Sequence, residues 1–431
     1  MARLFLGRET RLADDQNELI GVHHFRDRTP GTEQRTTNLE LFFDLVFVFA
    51  ITQLSHLLLD HLTVQGSAQT LFLLLTVWWG WNYTTWATNF IDPDSPLVRL
   101  MLLVIMLASL LMSIAIPEAF GDRAPLFAIS YVALQVIRNA FVAWAAPRGS
   151  SAERTFSGIL YWSLASGSLF VIGAFLPAPA RAVVWIAALA LDYAGPAARY
   201  WVPGRSQQIS TGDWGVDTAH FSERFQLFII IALGESIVVT GATASSGFDL
   251  DLARSTAVAV AFVGSAALWW LYFDYVATIA GKRLATSEDA GRLARDGYTY
   301  LHIPIIAGII VSAVGDEIVI VHPGEVLHTP ELIALVAGPV LYLLGHLLFR
   351  LRMAHSVSNK RVIAMVAIVL CFPVGIVAPA LVVASLIAAV LVVLVVAETI
   401  SGVRRRARGD LGPLEQLVYG RAGDAGSAAL D

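Results

Sequence analysis

Twelve apolar runs, each near the length a helix needs to cross a bilayer, follow one another along this chain. They begin near Leu39, Ala68, Leu97, Ala124, Thr155, Ala180, Ala219, Leu252, Tyr298, Leu332, Val362 and Leu381. A crossing takes about 20 largely apolar residues for a hydrocarbon core of roughly 30 Å, and within that core each backbone polar group must bond inside its own helix. The pattern predicts an all-α, polytopic integral membrane protein of about 12 transmembrane helices. Composition agrees: 56% of the 431 residues are hydrophobic and 15% charged, more apolar surface than a soluble domain could bury. The least defined boundary is residues 373–379, bracketed by prolines, where a turn and a break in one long helix read alike.

Basic residues collect in cytoplasmic loops. With twelve crossings and the N-terminus inside, 24 of the 29 Lys and Arg fall in inner loops and termini. Only Arg123, Arg181 and Arg254 fall outside, while Arg138 and Arg224 lie within helices. Both termini are thus expected in the cytoplasm of a multi-pass membrane protein. The first apolar run follows 38 polar residues, so no cleavable signal peptide is expected. Cys371 is the single cysteine, which rules out an intramolecular disulfide and a Cys-based metal site. The net charge of −5 is divided between two faces of opposite bias, and nothing in the chain supports nucleic-acid binding.

Residues 1–38 alternate acids and arginines and read as a cytoplasmic arm, partly helical at best. Thr37 and Glu40 form a Thr-x-x-Glu capping box at the first helix. The tail, residues 404–431, opens with Arg404, Arg405, Arg406 and Arg408, a set suited to anionic headgroups, and reads as disordered past Gly409.

Between arm and tail the chain repeats itself. Trp78 and Trp79 match Trp269 and Trp270; residues 113–118 match 312–317; Arg138 and Phe141 match His346 and Phe349; Asp192 and Arg199 match Glu398 and Arg405. The matches keep their order, so residues 39–203 and 204–403 read as two six-helix repeats. An even number of helices per repeat makes the duplication parallel, with sites expected between the halves.

The apolar runs contain charges that lipid would not tolerate unpartnered, and such residues face a protein or water interior. Asp44, Arg138, Asp192, Glu235, Asp274, His302 and His346 fall inside predicted helices; Glu40, His220, Glu223 and Arg224 fall at their cytoplasmic ends. These eleven form the candidate ion or substrate pathway. Glu40, Asp44, Phe47, Ile51 and Ser55 share one stripe of the first helix, and Arg224, Phe228, Ile231 and Glu235 one stripe of the seventh. At 1.5 Å per residue Glu235 lies about 17 Å deeper than Arg224, so it needs another partner, for which Arg138 or a histidine is the candidate. The competing reading is structural: Asp44 with Arg138, or Glu235 with His346, would merely fix helix packing. Acids at helix ends, such as Asp316 and Glu317, read as solvated. His56, Asp60 and His61 lack a fourth metal ligand, and no cofactor or metal is expected.

Three stretches carry a resemblance: ELFFDLVFVFAITQLSH (40–56), HFSERFQLFIIIALGESIV (220–238) and YLLGHLLFR (342–350). They resemble the bacterial low temperature requirement protein A family, from about Asn38 to Arg406. The resemblance implies a polytopic inner-membrane protein associated by name with growth in the cold, and it carries no assigned catalytic residues. Gln226 stands where that family pattern has a small residue. Residues 42–52 are also similar to the first-helix motif of lysosomal-type potassium channels, with Phe43 in place of its Ser and no counterpart in the seventh helix. That likeness implies permeation as a class.

The leading expectation is a transporter or channel for a small ion or solute, with Asp44, Arg138, Glu235 and His346 between the halves and protons as coupling ion. The expected partners are the bilayer, that ion or solute, and a second copy of the chain as a homodimer. A membrane-embedded enzyme acting on lipid is the alternative, against which no nucleophile motif, His-rich metal box or phosphate-cradling Gly loop appears. A non-transporting structural or stress protein for growth in the cold is the third.

Overall fold

The computed structural model describes residues 24–26, 35–204, 215–245, 251–274 and 276–411. The expectations for most of the N-terminal arm, and for the tail past Leu411, lie outside these residues. Apart from an isolated antiparallel bridge between Phe25 and Ile91, the regular structure described is helical.

In chain order the helices are α1 (Asn38–Asp60), α2 (Val64–Thr88), α3 (Pro96–Ala115), α4 (Ala124–Ala145), α5 (Ser151–Ala174), α6 (Ala178–Ala194), α7 (Thr218–Ser245) and α8 (Leu252–Phe273). Then come α9 (Val276–Ala285), α10 (Ala290–Leu293), α11 (Ile303–Val321), α12 (Thr329–Ala354), α13 (Asn359–Val369), α14 (Cys371–Gly375) and α15 (Ala380–Arg408). A π-helical stretch, Ala294–Tyr300, joins α10 to α11. The proline-bracketed stretch after α13 is the short helix α14 and a turn into α15.

The starts follow local chemistry. Thr37 and Glu40 form the reciprocal capping box expected at α1. Thr63, Ser150 and Asp251 cap α2, α5 and α8 through their side-chain oxygens, and α3, α4 and α6 have proline in the first turn.

The chain is a multi-pass membrane protein. Among the described residues nine helices are long and apolar enough to cross a membrane. Three of the twelve expected positions are helical without meeting that standard. Helix α6 has 17 residues and α13 has 11, while α2 is long but carries Asn and several Thr among its tryptophans. Helix α2 is buried along most of its length, so its sequence is matched to protein neighbours and not to lipid. The outer surface is the reverse: Leu107, Ile186, Phe262 and Val393 are exposed, as lipid-facing side chains are.

Helix α1 lies at the centre, packed on α2, α3, α7 and α11. The tightest approach is between α11 and α12, where the residues on the facing sides are small. A Cβ on Gly308 would lie 2.4 Å from the Tyr342 backbone nitrogen, and one on Gly345 would lie 2.7 Å from that of Ile305. Such close backbone approach is how membrane helices gain packing energy that lipid cannot supply.

Candidate functional site

The facing stripes of α1 and α7 bring together residues about 180 positions apart. At the end of the bundle where basic residues collect, Glu40 sits in the first turn of α1. It accepts from Thr37 N (2.9 Å), Thr37 Oγ1 (3.0 Å) and Arg26 Nη2 (3.1 Å), and meets His220 Nε2 of α7 at 2.8 Å. Asn89 Nδ2 lies 3.4 Å from the other ring nitrogen. Arg26 Nη2 lies 3.2 Å from the same Nε2, so that ring nitrogen is shared between the Glu40 carboxylate and the Arg26 guanidinium. Arg26 arrives because residues 24–26 fold back over the end of α2: its N–H donates to Phe90 O (2.9 Å), while Asp92 N donates to His24 O (2.9 Å). Glu223, half-buried, accepts from Thr36 N (2.9 Å) and Thr36 Oγ1 (3.2 Å), which ties the approach to α1 onto α7.

One turn deeper, Asp44 and Arg224 form a bidentate pair, with both nitrogen–oxygen distances 2.8 Å and both side chains fully buried. Trp81 of α2 donates its Nε1–H to Asp44 Oδ1 (2.8 Å), and its ring lies 5.9 Å from the guanidinium carbon. The planar fork of arginine fits a carboxylate in this manner, and lysine could not reproduce it. Arg224 Nε has no hydrogen-bond partner among the described residues.

Beside the pair and beyond it the interface is aromatic. Phe228 packs on Trp81 (4.2 Å between ring centres) and Trp78 (5.6 Å), and Phe43 on Phe47 (5.1 Å). Past this block polarity returns. Thr52 Oγ1 donates to Glu235 Oε1 at 2.5 Å, and Glu235 is buried. Ser55 Oγ and Glu317 Oε2 are buried without a hydrogen-bond partner among the described residues, and exposed His56 lies within electrostatic reach of Glu235 and Glu317. Two polar layers thus flank an aromatic block along one helix interface.

The sequence profile of the bacterial low temperature requirement A protein (LtrA) family matches residues 35–396, the whole of this helical body up to the last turns of α15. The chain belongs to the LtrA family. An uncharacterized protein of Rhizobium meliloti (strain 1021), RA0937, is 36% identical over 322 residues, covering 74% of this chain and 78% of that relative. No solved structure matches the chain.

The remaining expected site residues of this LtrA-family chain lie elsewhere. Arg138 does not reach Asp44 or Glu235. It is fully buried against α2 in the first half, donating to Gly80 O (3.1 Å), Thr84 Oγ1 (3.2 Å), Asn139 Oδ1 (3.1 Å) and Gln135. Gln135 in turn donates to Tyr131 (2.9 Å), and Tyr131 donates to Asp192 (2.6 Å), which also accepts from Ser166. This network neutralises Arg138 with dipoles and not with an ion pair. His302 bonds Tyr272 (2.9 Å) and stacks on Tyr298, while His346 packs on Tyr342 and Tyr272 with neither ring nitrogen hydrogen-bonded among the described residues. Both histidines lie among the aromatic rings of the second half, so His346 is no partner for Glu235. Asp274 is exposed, because α8 ends at Phe273. Asp316 and Glu317, expected in solvent, are half-buried on α11.

A search for charges alone misses Arg26, Thr52 and Trp81, since two of them are neutral and the third lies in the arm. It also misses Arg361, a loop residue by sequence. In this LtrA-family chain it is fully buried and bidentate to Glu398 (3.0 and 2.9 Å). Among the described residues no three His, Cys, Asp or Glu side chains gather to hold a metal.

Proposed function

We propose that this LtrA-family protein is a transporter or channel that moves a small ion or solute across the bacterial inner membrane along the α1–α7 interface, with protons as coupling ion. The observation that carries the reading is the order of groups there: Glu40, His220 and the Asp44–Arg224 pair on one side of the aromatic block, Thr52 and Glu235 on the other. A charge at the bilayer centre costs about 2.5–3.5 kcal/mol on insertion scales, so such residues persist where they line a pathway or hold one another. Hydrophobic constrictions between polar vestibules gate by excluding water. Glu235 is the protonatable group on the far side, and Asp44 with Arg224 closes the near side.

The pairing of helices supports two parallel six-helix repeats, with α1 and α7 opening each. In the first half α1 packs on α3, α3 on α4, α4 on α5 and α5 on α6. In the second, α7 packs on α11, α11 on α12, α12 on α13 and α13 on α15. With the basic ends inside, both termini are cytoplasmic.

A second reading, a non-transporting protein needed in the cold, is favoured by the full satisfaction of Asp44, whose oxygens are taken by Arg224 and Trp81. Proton and potassium flux into proteoliposomes separates the two. Flux in the wild type that is lost in both Asp44→Asn and Glu235→Gln supports transport; no flux for either ion under any gradient removes ion transport as the reading.

A further inference from the structure

A cavity of about 240 Å³ opens at the basic end, remote from the α1–α7 interface, where α8, α12, α13 and α15 converge. Its lining includes the four cations Arg350, Lys360, Arg405 and Arg406, and the two carboxylates Asp274 and Glu398. The cations of the lining outnumber its carboxylates four to two. Glu398 is already held by Arg361 and by Ser358 (3.1 Å), and Asp274 is exposed at the end of α8. Lys360 is positioned by Ala397 O (2.7 Å) and Ser401, and Arg350 by Ser356 (3.0 Å), so two cations are fixed before any ligand arrives. Leu271, Val395 and Trp270 supply apolar wall, Trp270 being 44% exposed. The outer faces beside the cavity carry exposed Val396, Ile400 and Val403, as surfaces in contact with lipid do.

We infer that this cavity binds the phosphate of an anionic lipid headgroup. Basic pockets between transmembrane helices recognise such groups because the arginine fork matches phosphate oxygens while the adjoining apolar wall receives the chains. A tryptophan at the rim suits the level of the bilayer interface. A free phosphate would meet the same cations without using the apolar wall.

The test is thermal unfolding of the full-length protein in neutral detergent, with phosphatidylglycerol, phosphatidylcholine or inorganic phosphate titrated in. Phosphatidylglycerol is expected to raise the midpoint and phosphatidylcholine to leave it unchanged. In Arg350→Gln/Arg406→Gln the concentration needed rises roughly thirtyfold, as expected for two lost cations near a headgroup. Arg148→Gln/Arg154→Gln removes the same charge from exposed positions outside the cavity and outside the basic tail, and is expected to behave as wild type. Arg406→Gln alone, at an exposed side chain, is expected to give an intermediate loss. Inorganic phosphate acting alone, with the same dependence on Arg350 and Arg406, assigns the site to phosphate itself and a soluble source. Equal loss in both double variants, or no stabilisation by either phosphate compound, overturns the assignment.

Discussion

Asp44 and Arg224 meet across the α1–α7 interface in a fully buried bidentate pair, and among the described residues no other arginine bonds that carboxylate. Removing one member leaves the other as an uncompensated buried charge, which costs about 3–5 kcal/mol. Asp44→Asn and Arg224→Gln are each expected to lower the unfolding midpoint in detergent sharply. The double variant should recover much of the loss, because no net charge is then buried. A double variant as unstable as the sum of the singles would mean that the pair is not the unit described.

Trp81 holds this pair from α2. Trp81→Phe keeps an aromatic ring against Phe228 and Arg224 but removes the Nε1–H that donates to Asp44. A hydrogen bond to a charged group is worth about 1.5–3 kcal/mol. The expected outcome is a loss of that size by chemical unfolding, smaller than for Asp44→Asn. Indole fluorescence cannot report it, given the other tryptophans, so helical circular dichroism is the readout.

Gly308 sets how closely α11 and α12 pack. Gly308→Val would push against the backbone of Tyr342, where even a Cβ has 2.4 Å. Overpacking of this kind costs about 1–3 kcal/mol. Gly264→Val, with nothing within 4 Å of its Cβ, is the matched control and should keep a higher midpoint than Gly308→Val. Equal midpoints for the two variants would contradict the close approach.

Much of this interface was legible because helical period decides which residues share a face. Glu40 and Asp44 on one stripe, and Arg224 and Glu235 on another, lie on the stripes that meet. Period does not say which helix lies opposite, and there the reading went astray. Arg138 was matched to Asp44 and Glu235 by charge, yet it packs on a different face of α2, against Gly80 and Thr84, among dipoles. Glu40 was read as the capping-box acid, which it is, but only the fold-back that brings Phe25 to Ile91 shows that Arg26 also reaches it. Glu235 found a hydroxyl, Thr52, because a neutral donor in a dry interface satisfies a carboxyl without a second charge. Asp274 was placed one residue too deep, at a helix end that composition locates poorly. The matched tryptophans also divide: Trp78 and Trp79 are buried, whereas Trp269 and Trp270 are exposed, so equal sequence sits in unequal surroundings.

The central claim is that permeation runs between α1 and α7 and is limited by the aromatic block. The most direct measurement is proton and potassium flux through proteoliposomes containing Phe228→Ala, beside wild type and Phe262→Ala. Phe228 is fully packed against Trp81 and Trp78, whereas Phe262 is 57% exposed on the outer face of α8. Shortening the block is expected to let water in and raise flux several-fold in Phe228→Ala, with Phe262→Ala matching wild type. Flux unchanged in Phe228→Ala, or raised equally in both variants, would contradict a pathway at this interface.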